Sequence, residues 1–96
     1  MYQIIYANQL KKDFKRVDKQ ILLIFKTKYL PVIANDPYGV GDRLAGSLHI
    51  FWVYKFHYQG IQFRVAYQII QEKLLIVLIQ FGPRENFYKE LKRRAR

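Results

Sequence analysis

The fold is decided by residues 50–70, which read IFWVYKFHYQGIQFRVAYQII. Large apolar side chains occupy every second position on both sides of Gln59-Gly60, and a period of two indicates β-strands. Because glycine favours tight turns, the stretch predicts two antiparallel strands joined by a turn. One face of these strands is almost entirely apolar, whereas Lys55 and Arg64 lie on the other face, on neighbouring strands.

The residues after this hairpin predict a third strand and a short helix. Residues 74–81 are apolar at both parities, which fits a central strand covered on both faces. Gly82-Pro83 should end that strand. Phe87, Tyr88 and Leu91 then begin a strongly basic C-terminal helix.

The residues before the hairpin begin with a predicted strand and an amphipathic helix. Residues 2–6 are short, partly alternating and rich in β-formers. Leu10, Phe14 and Val17 then recur at helical spacing, with Asn8 as the predicted N-cap. The opposite face of this helix carries Lys11, Lys12, Lys15 and Arg16.

A second helix completes the N-terminal half. Asp18 should cap it, and Pro31 should kink it or end it early. Residues 35–42 are predicted to be a loop, because Pro, Gly, Asn and Asp favour turns. The resulting order is β-α-α-β-β-β-α, an α+β domain whose helices are segregated from an antiparallel meander.

Composition excludes several classes of function. The chain has 96 residues, with 17 Lys plus Arg against 7 Asp plus Glu, and a formal net charge of +10. Without Cys it has no disulfide, thiolate zinc site or Cys nucleophile, and the apolar run at residues 74–79 is too short for a membrane helix. It also lacks nucleotide-binding glycine motifs. We expect one cytoplasmic domain over residues 1–96, without metal or cofactor, whose positive field attracts nucleic acid or an acidic protein.

Lys55 and Arg64 form the first candidate site. On adjacent antiparallel strands they can face each other directly or diagonally. Facing like charges destabilise a sheet, and an anion such as a phosphate between them would offset the repulsion. The alternative interpretation is two solvated cations on an open sheet face.

Arg84 and Tyr88 form the second candidate site. They share one face if the segment from Pro83 is helical. Alternatively, Arg84 is a surface residue and Tyr88 packs the helix on the core. RNA carries its own nucleophile, the 2′-hydroxyl, so Lys, Arg and Tyr could promote its cleavage by holding the phosphate, stabilising charge and transferring a proton.

Three segments resemble those of a known family. The first runs from Asp36-Pro37 to residues 43–48 (RLAGSL), the second is residues 63–69 (FRVAYQI), and the third is residues 78–88 (LIQFGPRENFY). The second is similar to a third strand that usually reads Y-R-x-x-Y, and the third to the last strand and the motif after it. In this order, the segments resemble the RelE/ParE superfamily of toxins over essentially the whole chain.

This resemblance implies the toxin of a bacterial or archaeal type II toxin–antitoxin pair. The implied architecture is the compact RelE-like α+β fold, with an N-terminal strand, an α-hairpin, an antiparallel meander and a short C-terminal helix. RelE-branch members are mRNA endoribonucleases, most of which act in the ribosomal A site and leave a 2′,3′-cyclic phosphate after 2′-hydroxyl attack. By position, Arg64 matches a phosphate-binding arginine, Arg84 one that stabilises the transition state, and Tyr88 an aromatic residue that shapes the scissile step.

The sequence departs from the family at the second strand. Lys55 matches one of two paired lysines there, but the second falls on Val53. Some relatives have a His where Arg84 stands, and without it the resemblance leaves proton transfer to Tyr88, Lys55 or His57.

Two other functions stay open. The ParE branch shares the fold but inhibits DNA gyrase, and a non-enzymatic RNA-binding module is the second possibility; Arg64, Arg84 and Tyr88 together favour the nuclease branch. The expected partners are an antitoxin with an acidic, partly disordered segment and, for the nuclease, mRNA and ribosomal RNA. The residues predicted to hold RNA backbones are Lys11, Lys12, Lys15, Arg16, Lys89, Lys92, Arg93 and Arg94.

Overall fold

A five-stranded mixed sheet forms the centre of the fold. The computed structural model describes residues 1–83 and 85–95. Its strands are β1 (Gln3–Tyr6), β2 (Asp42–Arg43), β3 (Trp52–Tyr58), β4 (Ile61–Ile70) and β5 (Leu75–Pro83). Their spatial order is β1-β5-β4-β3-β2, with β1 parallel to β5 and the other pairs antiparallel. The predicted α+β class and the meander over β3, β4 and β5 are confirmed, and β5 is an interior strand, as its apolar sequence predicts.

Helices cover both faces of this sheet. They are α1 (Asn8–Lys15), α2 (Lys19–Ile24), α3 (Leu30–Asn35), α4 (Pro37–Val40) and α5 (Phe87–Arg94), with 3₁₀ turns at Gly46–Leu48 and Gln71–Lys73. Within the described part of the chain, no helix has the length and apolar character needed to cross a membrane.

The predicted interruption at Pro31 takes the form of a π-helical turn. This turn, Phe25–Tyr29, joins α2 to α3, and the Leu30 N–H bonds to the Phe25 carbonyl five residues back. Pro31 then occupies the first turn of α3, where its missing N–H is tolerated. The chain therefore stays helical through the proline instead of ending before it.

Two predicted helix boundaries need correction. Asn8 does not cap α1 but is its first residue, so the helix begins one residue earlier than predicted. The N-cap position belongs to Ala7, which is extended and whose N–H bonds to Leu78 O. The loop predicted at residues 35–42 contains α4, which Asp36 caps by accepting a hydrogen bond from the Gly39 N–H at 3.1 Å. The Asp18 cap of α2 is confirmed, with a 3.0 Å bond from the Gln20 N–H.

Two apolar cores lie on opposite faces of the sheet. The larger packs α1, α2 and α3 against one face and includes Leu10, Phe25, Ile33, Phe56, Phe63, Val65, Tyr67, Ile76, Leu78 and Phe81. The smaller packs α5 against the other face and consists of Phe51, Val53, Ala66, Phe87 and Leu91. Because α5 is short, the second face stays partly uncovered, and we call it the open face.

Tyr67 connects α4 to the sheet. Its buried hydroxyl donates a 2.6 Å hydrogen bond to Pro37 O. Burial and the nearby carboxylate of Asp42 raise the pKa of Tyr67 well above its usual range. A side chain at Gly41 would overlap this hydroxyl, so the chain passes Tyr67 at a distance that only glycine allows.

Candidate functional site

A row of three residues crosses the open face. Lys55 of β3 lies directly opposite Arg64 of β4, which in turn lies directly opposite Gly82 of β5. Residues paired in this way direct their side chains to the same face of a sheet. The row therefore brings two cations together beside a position that has no side chain.

The two cations of the row repel each other. Lys55 is exposed and Arg64 is half-buried. Among residues 1–83 and 85–95, no carboxylate forms an ion pair with either of them. Like charges in register destabilise a sheet, so the pair detracts from folding stability unless an anion joins it.

Tyr88 completes this cluster from α5. Arg64 Nε donates a hydrogen bond to Tyr88 Oη at 3.2 Å, and the Arg64 guanidinium carbon lies 5.5 Å from the centre of the Tyr88 ring. The contact combines a hydrogen bond with a cation–π interaction. Tyr88 reaches this position because its neighbour Phe87 is buried in the smaller core, which fixes the first turn of α5 over β4.

The Arg64 guanidinium keeps an unused donor. Its Nη1 atom is shut off from solvent and has no hydrogen-bond acceptor among the described residues. A buried donor without an acceptor costs about 1–3 kcal/mol. Beside it, the space above Gly82 is open, since no described atom lies within 4 Å of where its Cβ would stand. An anionic oxygen in this space would offset the repulsion between Arg64 and Lys55, and it would satisfy Nη1 once the side chains that cover this atom move aside.

His57 and Gln62 form the next row towards the β3–β4 turn. They are paired in register, and Gln62 Nε2 lies 3.5 Å from His57 Nε2. His57 is exposed on the same face as Lys55, two residues further along β3. Gln62 and Gly82 were not predicted as site residues; their alignment with His57 and Arg64 follows from the register of the strands.

The predicted RNA-binding cations separate into two groups. Lys11, Lys12 and Lys15 are exposed on α1, opposite its buried stripe, and Arg16 is exposed directly after it. Lys89, Lys92 and Arg93 are exposed on α5. The second group belongs to a helix rather than to a tail.

Arg94 does not belong with these exposed cations. Only 10% of its side chain is exposed, and its guanidinium makes two hydrogen bonds to the Asp13 carboxylate at 2.6 and 2.7 Å. The hydrogen bond with Asp13 raises the pKa of Arg94 further. The prediction that Arg94 contacts RNA is therefore wrong, because its charge is already paired inside the protein.

Arg84, the remaining predicted site residue, lies outside the described residues. The condition for its pairing with Tyr88 was a helix from Pro83, and that is wrong because α5 begins at Phe87 after a left-handed Asn86. Its role therefore stays a prediction from sequence.

A cleft of about 510 Å³ lies between α1, the start of α2, the start of β4, the end of β5 and α5, and Gly82 of the row is among the residues that line it. Lys55, Arg64 and Tyr88 do not line it. Within the described ranges, no three His, Asp or Glu side chains are grouped so as to hold a metal ion.

Comparison with known proteins identifies relatives by sequence. A family model described as "ParE-like toxin of type II bacterial toxin-antitoxin system" matches residues 4–92. A protein of Escherichia coli whose name describes it as RelE-like is 31% identical over 85 residues, which is 88% of this chain and 85% of that protein.

Comparison with solved structures identifies relatives by fold. The structure is similar to a chain of the RelBE2 toxin–antitoxin complex from Mycobacterium tuberculosis, with a TM-score of 0.74 at 19% identity over 86% of this chain and 98% of that one. It is also similar to the isolated RelE toxin of Escherichia coli, with a TM-score of 0.67 at 22% identity and complete coverage of both chains. At these identities the likeness shows the fold, and it confirms the predicted RelE-like architecture.

Proposed function

The chain belongs to the family of ParE-like toxins of type II bacterial toxin–antitoxin systems, and we propose that it is an endoribonuclease that cleaves mRNA in the ribosomal A site. The observation that carries this proposal is the cluster of Lys55, Arg64 and Tyr88, in which Arg64 Nη1 is buried without an acceptor among the described residues. A phosphodiester supplies the anion that this cluster lacks.

The two cations hold the phosphate. Arg64 uses Nε for Tyr88, which orients the guanidinium, and its buried Nη1 atom can bind a phosphate oxygen once the side chains that cover it move aside. Lys55 faces it from the next strand and adds a second positive charge. Because phosphate charge grows in the transition state, donors fixed in advance stabilise that state more than the bound substrate.

The reaction follows from the chemistry of RNA. The 2′-hydroxyl gives its proton to water and its oxygen bonds to phosphorus, while the bond to the 5′-oxygen of the next nucleotide breaks and that oxygen takes the Tyr88 proton, which water then replaces. The products are a 2′,3′-cyclic phosphate and a 5′-hydroxyl. Side chains rather than a metal supply the positive charge in this scheme.

Tyr88 is the group that we assign to proton transfer. Its oxygen accepts the bond from Arg64, so its own hydrogen stays available to a substrate oxygen, and 36% of the residue is exposed. His57 is the competing group, two residues from Lys55. Tyr88→Phe should lower cleavage by about 10²-fold or more, whereas His57→Gln should leave it near the wild-type rate.

Exposed cations on α1 and α5 extend the positive surface beyond the cluster. We expect Lys11, Lys12, Lys15 and Arg16 to hold ribosomal RNA through phosphates, together with Lys89, Lys92 and Arg93, so binding should weaken steeply with added salt. Similar solved chains come from complexes with antitoxins, which supports a cognate antitoxin for this cytoplasmic protein. An acidic, partly disordered segment would complement the +10 chain.

The test maps mRNA 3′ ends after the purified protein is added to translating ribosomes. Arg64→Ala and Arg84→Ala should each lower cleavage by about 10²–10³-fold. Lys73→Ala removes one exposed positive charge from the turn beyond the far end of β4 and serves as the matched control, with cleavage unchanged. Cleavage that continues at the wild-type rate in the Arg64→Ala/Arg84→Ala double variant would overturn the proposal.

A gyrase inhibitor is the second candidate, because the matching family model is described as ParE-like. This function would give cleaved DNA–gyrase complexes and no new mRNA ends. Running both assays on one preparation distinguishes the two candidates, because each function gives a product that the other does not.

A further inference from the structure

Side chains bond to the edge of β5 beyond the point where its pairing with β1 ends. Pairing between β1 and β5 ends at Tyr6 and Leu78, so the following part of β5 has no strand beside it on this edge and pairs only with β4 on the other. Two of its backbone groups are instead bonded by side chains. The Phe81 N–H donates to Asp13 Oδ2 at 3.0 Å, and Arg94 Nη1 donates to Ile79 O at 3.1 Å.

Asp13 and Arg94 also bond to each other, and we call this pair the clamp. Both N–H groups of the guanidinium fork meet both carboxylate oxygens, at 2.6 and 2.7 Å, and the two side chains are 5% and 10% exposed. Asp13 belongs to α1 on one face of the sheet, and Arg94 is the last residue of α5 on the other. The clamp therefore reaches around the edge of β5 and joins two helices that the sheet separates.

α5 depends on such contacts for its position. Eight residues form too short a helix to be stable alone, and its N-terminal end has no side-chain cap. Phe87 and Leu91 are its buried apolar residues, and Gln80 Nε2 bonds to Phe87 O at 2.7 Å. These contacts hold its first turns, while the clamp holds its last turn. A helix held at both ends keeps a fixed angle to the strands beneath it.

We propose that Asp13, acting through Arg94, is a positioning residue that holds α5 so that Tyr88 stays on the Arg64 guanidinium. Tyr88 lies in the first turn of α5, about 9 Å along the helix axis from Arg94. A rotation of α5 about its apolar contacts would move the Tyr88 hydroxyl away from Arg64 Nε. The importance of this for cleavage rests on the proposed ribonuclease function, but the positioning itself does not.

Neighbouring arginines provide a matched pair of variants. Arg93 and Arg94 are on the same helix, but the Arg93 side chain is 67% exposed and its only ion pair among the described residues is a 3.4 Å contact with Glu90. Arg94→Gln breaks the clamp, and Arg93→Gln removes the same charge without touching it. Arg94→Lys keeps the charge but loses the two-point geometry, so it should give an intermediate result.

Tyr88 itself reports the outcome. With 3-fluorotyrosine at all eight tyrosines, the ¹⁹F resonance of Tyr88 is identified by its loss in Tyr88→Phe, and the Arg64→Ala variant shows where it lies without the contact. We expect Arg94→Gln to shift this resonance towards the Arg64→Ala position, and Arg93→Gln to leave it in place. Amide exchange in α5 should rise at least tenfold in Arg94→Gln, with β4 amides still protected.

Cleavage kinetics complete the test. In Arg94→Gln, kcat should fall at least tenfold with KM for RNA nearly unchanged. A Tyr88 resonance at its wild-type position in Arg94→Gln would overturn the proposal. Loss of protection in β4 as well would also overturn it, because the clamp would then support the whole fold rather than the position of α5. If the resonance shifts but the wild-type protein cleaves no RNA, the ribonuclease proposal fails and the positioning role stands.

Discussion

The contact between Arg64 and Tyr88 makes a quantitative prediction. It can be broken in two stages, because Tyr88→Phe removes only the hydroxyl and Tyr88→Ala removes the ring as well. Each change is combined with Arg64→Ala in a double-mutant cycle, which isolates the interaction between two residues from their other effects. The cycle is needed because Arg64→Ala also relieves the repulsion from Lys55, so that the stability of the single variant does not report the contact.

The geometry sets the size of the coupling. A hydrogen bond to a charged group contributes about 1.5–3 kcal/mol, and we take about 1 kcal/mol here because the bond is 3.2 Å long and Tyr88 is 36% exposed. The cation–π contact at 5.5 Å adds about 1 kcal/mol. The cycle with Tyr88→Phe should therefore give a coupling near 1 kcal/mol, and the cycle with Tyr88→Ala about 2 kcal/mol.

Thermal unfolding measures both couplings. For a domain of this length, 1 kcal/mol corresponds to a change in Tm of about 4–8 °C, which calorimetry resolves easily. Distant, independent sites are additive to within about 0.3–0.5 kcal/mol. Couplings within that limit in both cycles would mean that Tyr88 does not contact Arg64 in solution, and the assignment of Tyr88 to the site would be refuted.

Three further predictions test other parts of the structure. Gly82→Val should leave the protein as stable as the wild type, because its Cβ enters open space and valine favours strands. The variant should lower RNA cleavage at least tenfold, because the new side chain fills the place beside Arg64. Full cleavage by a folded variant would contradict this. Gly41→Ala should lower stability by about 1–3 kcal/mol in thermal melts because it overlaps the Tyr67 hydroxyl, and adding Tyr67→Phe should restore part of the loss. Since the folded protein holds the Tyr67 proton more tightly than the unfolded chain, wild-type stability should fall as pH rises above about 10, and urea unfolding of Tyr67→Phe should show a shallower fall.

Much of the fold could be predicted because local patterns determine it. The period of two over residues 50–70 determines which side chains share a face, and with the turn at Gln59-Gly60 it places Lys55 opposite Arg64. The apolar sequence of β5 likewise requires cover on both faces, and α5 provides it on one of them. The parallel pairing of β1 with β5 could not be derived in this way, because no local sequence pattern determines which strand an edge strand pairs with.

The error at Arg94 shows where charge patterns mislead. A run of basic residues predicts exposure on average, yet Arg94 continues the buried stripe of Phe87 and Leu91 along α5. Asp13 similarly lies three residues after Leu10 on the apolar face of α1. A charged residue on an apolar stripe is rarely buried without a partner. Two charged residues of opposite sign on apolar stripes therefore indicate an ion pair such as the clamp, which the net charge of the chain does not indicate.

The contact between Arg64 and Tyr88 could be predicted only in part. Each residue was predicted as a candidate, but their contact depends on how α5 packs against β4. That packing is a tertiary property of Phe87, Leu91 and Ala66, and spacing along the chain does not determine it.

The position of β1 has a consequence for biosynthesis. β1 is synthesised well before its partner strand, β5, because the paired residues Gln3 and Leu75 lie far apart along the chain. Contacts between distant parts of a chain form late and slowly. A nascent chain therefore carries an unpaired β1 until β5 has been made, and neither the complete sheet nor the Tyr88 contact exists before that point. The order of synthesis itself therefore delays the completed site, because Tyr88 can reach Arg64 only after α5 has been made.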